Sequence, residues 1–340
     1  MKNTKEYCNT TDNKVSVVIA VRNEEKYIER CINSILNQDF NHNNFEIIVV
    51  NDHSEDATLS IVENLKISNL KLLSLPHGVT SKKEALKLGV ENAEFKIIAS
   101  TDADCILPPN WLRLIANNID KDADMLLGPI VFEQKSGFLN AFQQLDMMAM
   151  QSFQFGLLSI NKPTLNNGAN LSFKKDEYQL VGGYDKYETP SGDDIFLLEK
   201  FNNQQFNIKG LLNQNFIVET VPTKNIGEFL QQRFRWVSKS RFYTGQLLKF
   251  LSIIILFQNI LQIFIYGQVL LDEKFTNYFI FLLLSKWLID FILLFLVATF
   301  FNRKKSMLYF IPVQLIYPFY IMGVSVASMF LKFEWKGRKY

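Results

Sequence analysis

The chain has 340 residues, 48% of them hydrophobic and 21% charged, with a formal net charge of +2. That length holds one large domain and something besides, and a near-neutral balance without any basic tract interleaved with aromatics excludes nucleic acid as the expected partner. Hydrophobicity is uneven: from Phe250 onward Leu, Ile, Phe and Val dominate, which divides the chain into a water-solvated part and a part solvated by lipid.

Segment 1–14 is polar and lacks the apolar stretch of a signal peptide, so the domain that follows is expected to stay in the cytosol, where it is made. Cys8, Cys31 and Cys105 lack metal-ligand spacing and cannot all pair, which suits a reducing compartment.

The first strand is expected at Val15 to Ala20, followed by the polar Arg22-Asn23-Glu24 and a helical pattern of Tyr27, Ile28, Cys31, Ile32, Ile35 and Leu36. The next strand, Phe45 to Val50, ends in Asn51-Asp52-His53-Ser54. A third is expected at Leu70 to Leu75, then a helix from Ser81 to Val90 that carries Lys82, Lys83 and Lys87. Phe95 to Ser100 is an apolar run too short for a helix, and it delivers Asp102 and Asp104 at its end. Alternation along an extended backbone puts these two carboxylates on one face, where they can converge on a cation and its phosphates. A turn is the other account of a D-x-D. Asp122-Ala123-Asp124 has the same spelling but precedes the expected strand Met125 to Phe132, at the edge opposite the one that carries sites, and reads as a solvated turn.

Alternating strands and helices predict a mixed, mainly parallel α/β sheet flanked by helices, with a ligand at the strand ends. The chain contains neither G-x-G-x-x-G after its first strand nor a phosphate loop of the G-x-x-x-x-G-K-S/T type, which disfavours dinucleotide oxidoreductases and P-loop NTPases.

Further on, Asp193-Asp194 precedes the apolar Ile195-Phe196-Leu197-Leu198, so the pair lies at a helix N-terminus, either as caps or as a general base facing a hydroxyl. Gln232, Arg235 and Trp236 stand at i, i+3 and i+4 on one helical face. An amide, a guanidinium and an indole suit a diphosphate and a sugar or lipid head. They equally suit an interfacial helix anchored among headgroups. Lys82 fits a donor phosphate or a solvated helix face.

From Val15 to about Arg241 the chain resembles the family 2 glycosyltransferases, nucleotide-sugar enzymes with a GT-A fold. The resemblance rests on Val21-Arg22-Asn23-Glu24, Asn51-Asp52-His53-Ser54, Ser81-Lys82-Lys83-Glu84-Ala85-Leu86, Asp102-Ala103-Asp104, Gly192-Asp193-Asp194 and Gln232-Arg233-Phe234-Arg235-Trp236, in the family's order. It implies that Glu24 and Asp52 hold uridine, that Asp102 contacts ribose, that Asp104 binds a divalent metal (Mn or Mg), and that Asp194 is the base with Asp193 beside it. Lys82, Gln232 and Arg235 then join the donor site. Trp236 goes to the acceptor side, together with Asn170 of the loop Asn167-Gly168-Ala169-Asn170; Gly182-Gly183-Tyr184 looks like a second such loop. The sequence departs from the family at Ala20 (usually proline), Ser81 (usually glycine) and Lys87 (commonly asparagine), which bears on selectivity and not on reaction class.

Three apolar segments, 250–271, 278–301 and 307–331, each reach the roughly 20 residues a helical span requires. The loop Asp272-Glu273-Lys274 is slightly acidic and Asn302-Arg303-Lys304-Lys305 basic, which puts the second in the cytosol. The basic tail 332–340 conflicts with an odd number of crossings, and Pro312 and Pro318 leave the third segment either spanning or re-entrant. Lys286 and Asp290 can pair within the second segment, as a functional or a structural pair.

The expected organisation is therefore a GT-A domain over 15–225, an interfacial helix region over 226–249, three membrane segments over 250–331 and a tail. The expected activity is inverting, metal-dependent transfer from a nucleotide-sugar donor, UDP-linked, to a lipid or polyprenyl-linked acceptor at the cytosolic face of the inner membrane. The alternatives are a processive polysaccharide synthase, which usually has helices on both sides of its catalytic domain, and an inactive nucleotide-sugar-binding membrane module.

Overall fold

The computed structural model describes residues 13–185, 193–238, 245–271, 276–330, 334–335 and 338–339. Expectations for most of the N-terminal segment, Cys8, Gly192, the loop Asp272 to Lys274 and most of the tail lie outside them. In chain order the elements are β1 (Val15–Val21), α1 (Ile28–Leu36), β2 (Phe45–Asn51), α2 (Thr58–Asn64), β3 (Leu70–Ser74), α3 (Lys82–Glu91), β4 (Ile97–Asp102), β5 (Cys105–Ile106), α4 (Trp111–Asp122), β6 (Met125–Leu127) and β7 (Ile130–Phe132). There follow α5 (Phe138–Ser159), β8 (Leu171–Lys174), α6 (Lys175–Leu180), α7 (Asp193–Asn203), β9 (Ile208–Gly210), β10 (Val218–Thr220), α8 (Ile226–Ser238), α9 (Gln246–Leu271), α10 (Thr276–Phe300), α11 (Phe310–Phe330), β11 (Glu334–Trp335) and β12 (Arg338–Lys339).

The main sheet runs β3-β2-β1-β4-β8-β6-β9, and β8 is antiparallel to both of its neighbours while the other pairs are parallel. Both faces of its centre are covered. Val15, Val17, Ile19 and Val21 of β1 enter one core with α1 and α4, whereas Val18 enters another with α3. Continuous apolar strands are what a sheet buried on both sides demands. A small second sheet, β5-β10-β7, stands beside it.

The expected strand Met125 to Phe132 is divided between the two sheets. At its middle, a Cβ on Gly128 would lie 2.1 Å from Asn170 Nδ2, and Pro129 has no N–H to continue a ladder. The copy Asp122-Ala123-Asp124 is not a solvated turn either: Asp124 pairs with Lys174 at 2.9 Å and accepts the Asn207 N–H at 2.9 Å, holding β8 and the start of β9.

Helices α9, α10 and the stretch Lys304–Ser328, which takes in most of α11, are long and apolar enough to cross a membrane. The Lys286 to Asp290 pair forms at 2.6 Å, and Gln314 of α11 bridges it, accepting from Lys286 and donating to Asp290. Gln262 and Tyr266 of α9 reach the Gln314 carbonyl, so the polar residues of the segments face one another. Where the chain passes from α10 to α11, Arg303 is buried against the α/β domain, donating to the Phe132 carbonyl at 3.3 Å and pairing with Glu219 at 2.7 Å.

Gly89 lies in α3 where the helix touches β1, and a Cβ there would stand 2.4 Å from Val18 Cγ1. Alanine is about 1 kcal/mol better than glycine inside a helix. Here Gly89→Ala is expected to do the reverse and to cost about 1–3 kcal/mol through overpacking, read as a lower denaturation midpoint.

Candidate active site

The parallel register aligns Val21 with Asn51 and Ala20 with Asp102, so β1, β2 and β4 end at one level. Their loops are tied together there. Arg22, buried, donates to the carbonyls of Asp52 (2.8 Å) and His53 (2.7 Å) and pairs with Glu55 at 2.9 Å. Asn23 takes the Glu55 N–H on its side chain and gives its own N–H to Ser54, while the Glu24 N–H goes to Thr58 Oγ1. Asn23 and His53 adopt left-handed backbone, at φ 52° and 51°. These bonds fix the loop of Glu24 against the loop of Asp52.

Above this edge lies a cleft of about 650 Å³ whose wall includes Glu24, Asp52, Lys82, Asp102, Asp104, Gln232 and Arg235. Every residue the sequence suggested for the donor or the metal therefore meets in one place. Arg22, Tyr27, Lys224 and Gln231 join the same wall, and the sequence had assigned them no role. Gln231 neighbours the motif, and Lys224 immediately precedes the Asn225 to Glu228 capping pair of α8, a local signal that marks the loop but not its direction.

Lys82 opens α3 and its ammonium pairs with Asp102. Burial opposes that charge, but Asp102 and, further off, Asp193 and Asp194 outweigh it and hold the ammonium above its ordinary range. Arg235 responds to the same groups: burial lowers its guanidinium, and Asp102, Asp193, Asp194 and Asp104 act in the opposite sense. Asp193 and Asp194 are not in the cleft wall. They flank it beside Gly168, where a Cβ would come 3.7 Å from Lys82 Nζ, 3.8 Å from Asp194 Cβ and 3.9 Å from Asp193 Oδ2. Asp194 accepts the Gly168 N–H at 3.1 Å and sits in the first turn of α7, where exposed N–H groups favour negative charge.

Asn170 does not face an acceptor. It is fully buried, accepts the Trp111 indole N–H at 2.8 Å and donates to the carbonyls of Pro129 (3.0 Å) and Phe216 (2.8 Å). Its hydrogen-bonding capacity is spent on joining the two sheets. Trp236 is also displaced from its expected role as an open plate, because the Arg233 guanidinium lies 4.0 Å from its ring centroid and the ring packs on the core. Arg233 in turn forms a buried pair with Asp146 at 2.7 Å. Cys105 is packing: burial first, then Asp104 and Asp102, push its thiol well above the usual range, and Cys31 behaves likewise.

Among the described residues no group of three His, Cys, Asp or Glu side chains could hold a metal by itself. The hard oxygens of Asp104 and its neighbour fit a cation that takes one or two carboxylates from the protein and the rest from substrate phosphates.

The fold and cleft are those of a GT-A enzyme. The glycosyl transferase family 2 model matches residues 16–175, and the glycosyl transferase family group 2 model matches residues 97–324. The chain belongs to the family 2 glycosyltransferases, and it is an enzyme of that class. It is similar to glycosyltransferase AglE of Haloferax volcanii, 25% identical over 65% of this chain and 71% of that protein. It is also similar to poly(ribitol-phosphate) beta-N-acetylglucosaminyltransferase TarS of Staphylococcus aureus, 34% identical over 34% of this chain but only 20% of that protein. Among solved structures, the mannosyltransferase PcManGT from Pyrobaculum calidifontis, in complex with GDP-Man and Mn2+, shares the fold with a TM-score of 0.60 at 15% identity, over 93% of this chain and 87% of that one.

Ser81, the N-cap of α3, holds φ 151° and ψ 157°, a conformation that favours glycine, while its hydroxyl accepts the Glu84 N–H at 3.2 Å. Such strain costs of order 1–3 kcal/mol, and glycine replaces a serine cap at a loss of only a few tenths. Ser81→Gly is expected to raise stability by about 1 kcal/mol in an unfolding titration. Asn170→Ala, which strands an indole N–H and two carbonyls, is expected to cost about 3 kcal/mol or more.

Proposed function

We propose that this chain transfers a sugar, with inversion, from a nucleoside-diphosphate donor to a lipid or polyprenyl-linked acceptor at the cytosolic face of a cell membrane, the inner membrane of its cell. The observation that carries the proposal is the meeting of Glu24, Asp52, Lys82, Asp102, Asp104, Gln232 and Arg235 in one cleft beside Asp193 and Asp194.

The roles are those that the family resemblance implies, and the cleft chemistry agrees with them. Asp52 and Glu24 hold the base, taken as uracil, and Asp102 the ribose. A divalent cation, Mn or Mg, would be held by Asp104 and would supply charge to offset the diphosphate. Arg235 and Lys82 bring cations to the departing diphosphate, Arg235 by forking onto its oxygens, and Gln232 adds an amide donor. Asp194, ionised at its helix N-terminus and oriented by the Gly168 N–H, takes the proton of the acceptor hydroxyl as the oxygen attacks the anomeric carbon. Attack opposite the leaving group inverts that centre, so an α-linked donor gives a β-linked product. Asp193, buried next to Asp194, is assigned to the acceptor side.

Membrane placement supports a lipid acceptor. Helices α9 and α10 are long enough to cross a bilayer, and the basic connection Asn302 to Lys305 is docked on the catalytic domain through Arg303, which the positive-inside rule assigns to the cytosol.

With purified protein in detergent or nanodiscs, Asp194→Asn is expected to lower turnover by about 10²–10⁴, the usual weight of a general base, while the dissociation constant for UDP changes little. Unchanged turnover would remove Asp194 as the base. Chelation of divalent ions is expected to abolish transfer, with recovery on adding Mn or Mg; full activity in the chelator would remove the metal from the proposal.

A further inference from the structure

Helix α11 has the length and composition of a crossing, but its surroundings belong to the catalytic domain at both ends. Before it begins, Leu294 and Ala298 of α10 are buried with Val131, Phe142 and Met148, and Arg303 is paired with Glu219 of β10. The chain is thus back on the catalytic side when α11 starts. Ten residues into the helix it has not left. The Tyr317 hydroxyl donates to Asp146 of α5 at 3.0 Å, and the Tyr320 ring stacks on Phe229 of α8 with centroids 5.5 Å apart. Asp146 is the partner of Arg233, and both side chains are almost wholly buried, so this contact is with the interior of the α5 and α8 pair. The same α8 carries Gln232 and Arg235 into the polar cleft, which holds it at the water-facing level.

From Tyr320 to the end of α11 at Phe330 only about 15 Å of helix remains at 1.5 Å per residue. That is half of the roughly 30 Å hydrocarbon thickness. Beyond it, Glu334–Trp335 lies against α8 again. Pro318 stands inside the helix, and Gln314 at its start bonds to α9 and α10, so α11 is wedged between the α9 and α10 hairpin and α8. Its other side is apolar and open: Ile311, Leu315, Ile316 and Phe319 are each about half exposed.

We infer that α11 does not cross the bilayer but lies at its cytosolic interface, with this apolar side in lipid and the opposite side on α5 and α8, so that the chain crosses twice, through α9 and α10. The described tail residues Arg338 and Lys339 then lie on the catalytic side, beside anionic headgroups. An even number of crossings removes the conflict between a basic tail and the positive-inside rule. The inference rests on the membrane anchorage proposed above, and the test separates the two.

Single cysteines are placed by Lys162→Cys on the catalytic domain, Lys274→Cys between α9 and α10, and Tyr340→Cys in the tail of the full chain, in a Cys8→Ser background whose remaining thiols, Cys31 and Cys105, are buried. A membrane-impermeant maleimide is applied to sealed vesicles of known orientation. The expected result is that positions 162 and 340 react from one side and position 274 only from the other. Reaction of position 340 together with 274, and not with 162, would make α11 a third crossing and overturn the inference. Reaction of all three from one side, or recovery of the protein in the soluble fraction, would overturn the anchorage itself and the inference with it.

Discussion

The cleft depends on the shared register of β1, β2 and β4. A one-residue slip of a strand sends every side chain to the opposite face, and here it would carry Asp102 out of the cleft while turning Val17 and Val18 into each other's cores. Because both faces of β1 are buried, slippage is resisted from two sides at once. The three strand ends are thereby held level, and loops that are short and mutually hydrogen-bonded, Arg22 to Glu24 against Asn51 to Glu55, inherit that precision.

With position fixed, charge becomes the second constraint. Carboxylates at the end of β4 and in the loops that follow β1, β2 and β4 crowd one edge, an arrangement that repels itself unless cations answer it. Lys82 from α3 and Arg235 from α8 provide the answer within the chain, each facing acids from separate elements. A donor diphosphate with its own cation would enter a site already balanced between opposite charges. Such preorganisation limits the rearrangement needed when the leaving group gains charge.

Much of this was legible in the sequence. Short apolar runs ending in Asp52 or in Asp102 and Asp104 announced strands buried on both faces, and a strand's direction tells which end carries a site. The fate of Asn170 was not legible, because an asparagine in a glycine-bearing loop is written the same way whether it meets a ligand or bridges two sheets, and only the approach of Trp111, Pro129 and Phe216 decides. Trp236 followed the same rule: helical spacing put it on the face of Gln232 and Arg235, but Arg233 covers its ring. Helix α5 gave no periodic signal, since it is enclosed by the domain on one side and by α10 and α11 on the other, and Asn140, Gln143, Gln144, Asp146, Gln151 and Gln154 are all buried along it. Periodicity reports a boundary with water, and there is little boundary there.

In the proposed function, side chains from distant parts of the chain form one seat for a nucleoside diphosphate and its cation. The most direct measurement is a crystal or cryo-EM structure with UDP and Mn2+, the metal located by anomalous scattering in the crystal. The metal is expected at Asp104 and the diphosphate between it and Arg235, with the uracil at Asp52. Metal and nucleotide bound away from the edge formed by β1, β2 and β4 would contradict the proposal.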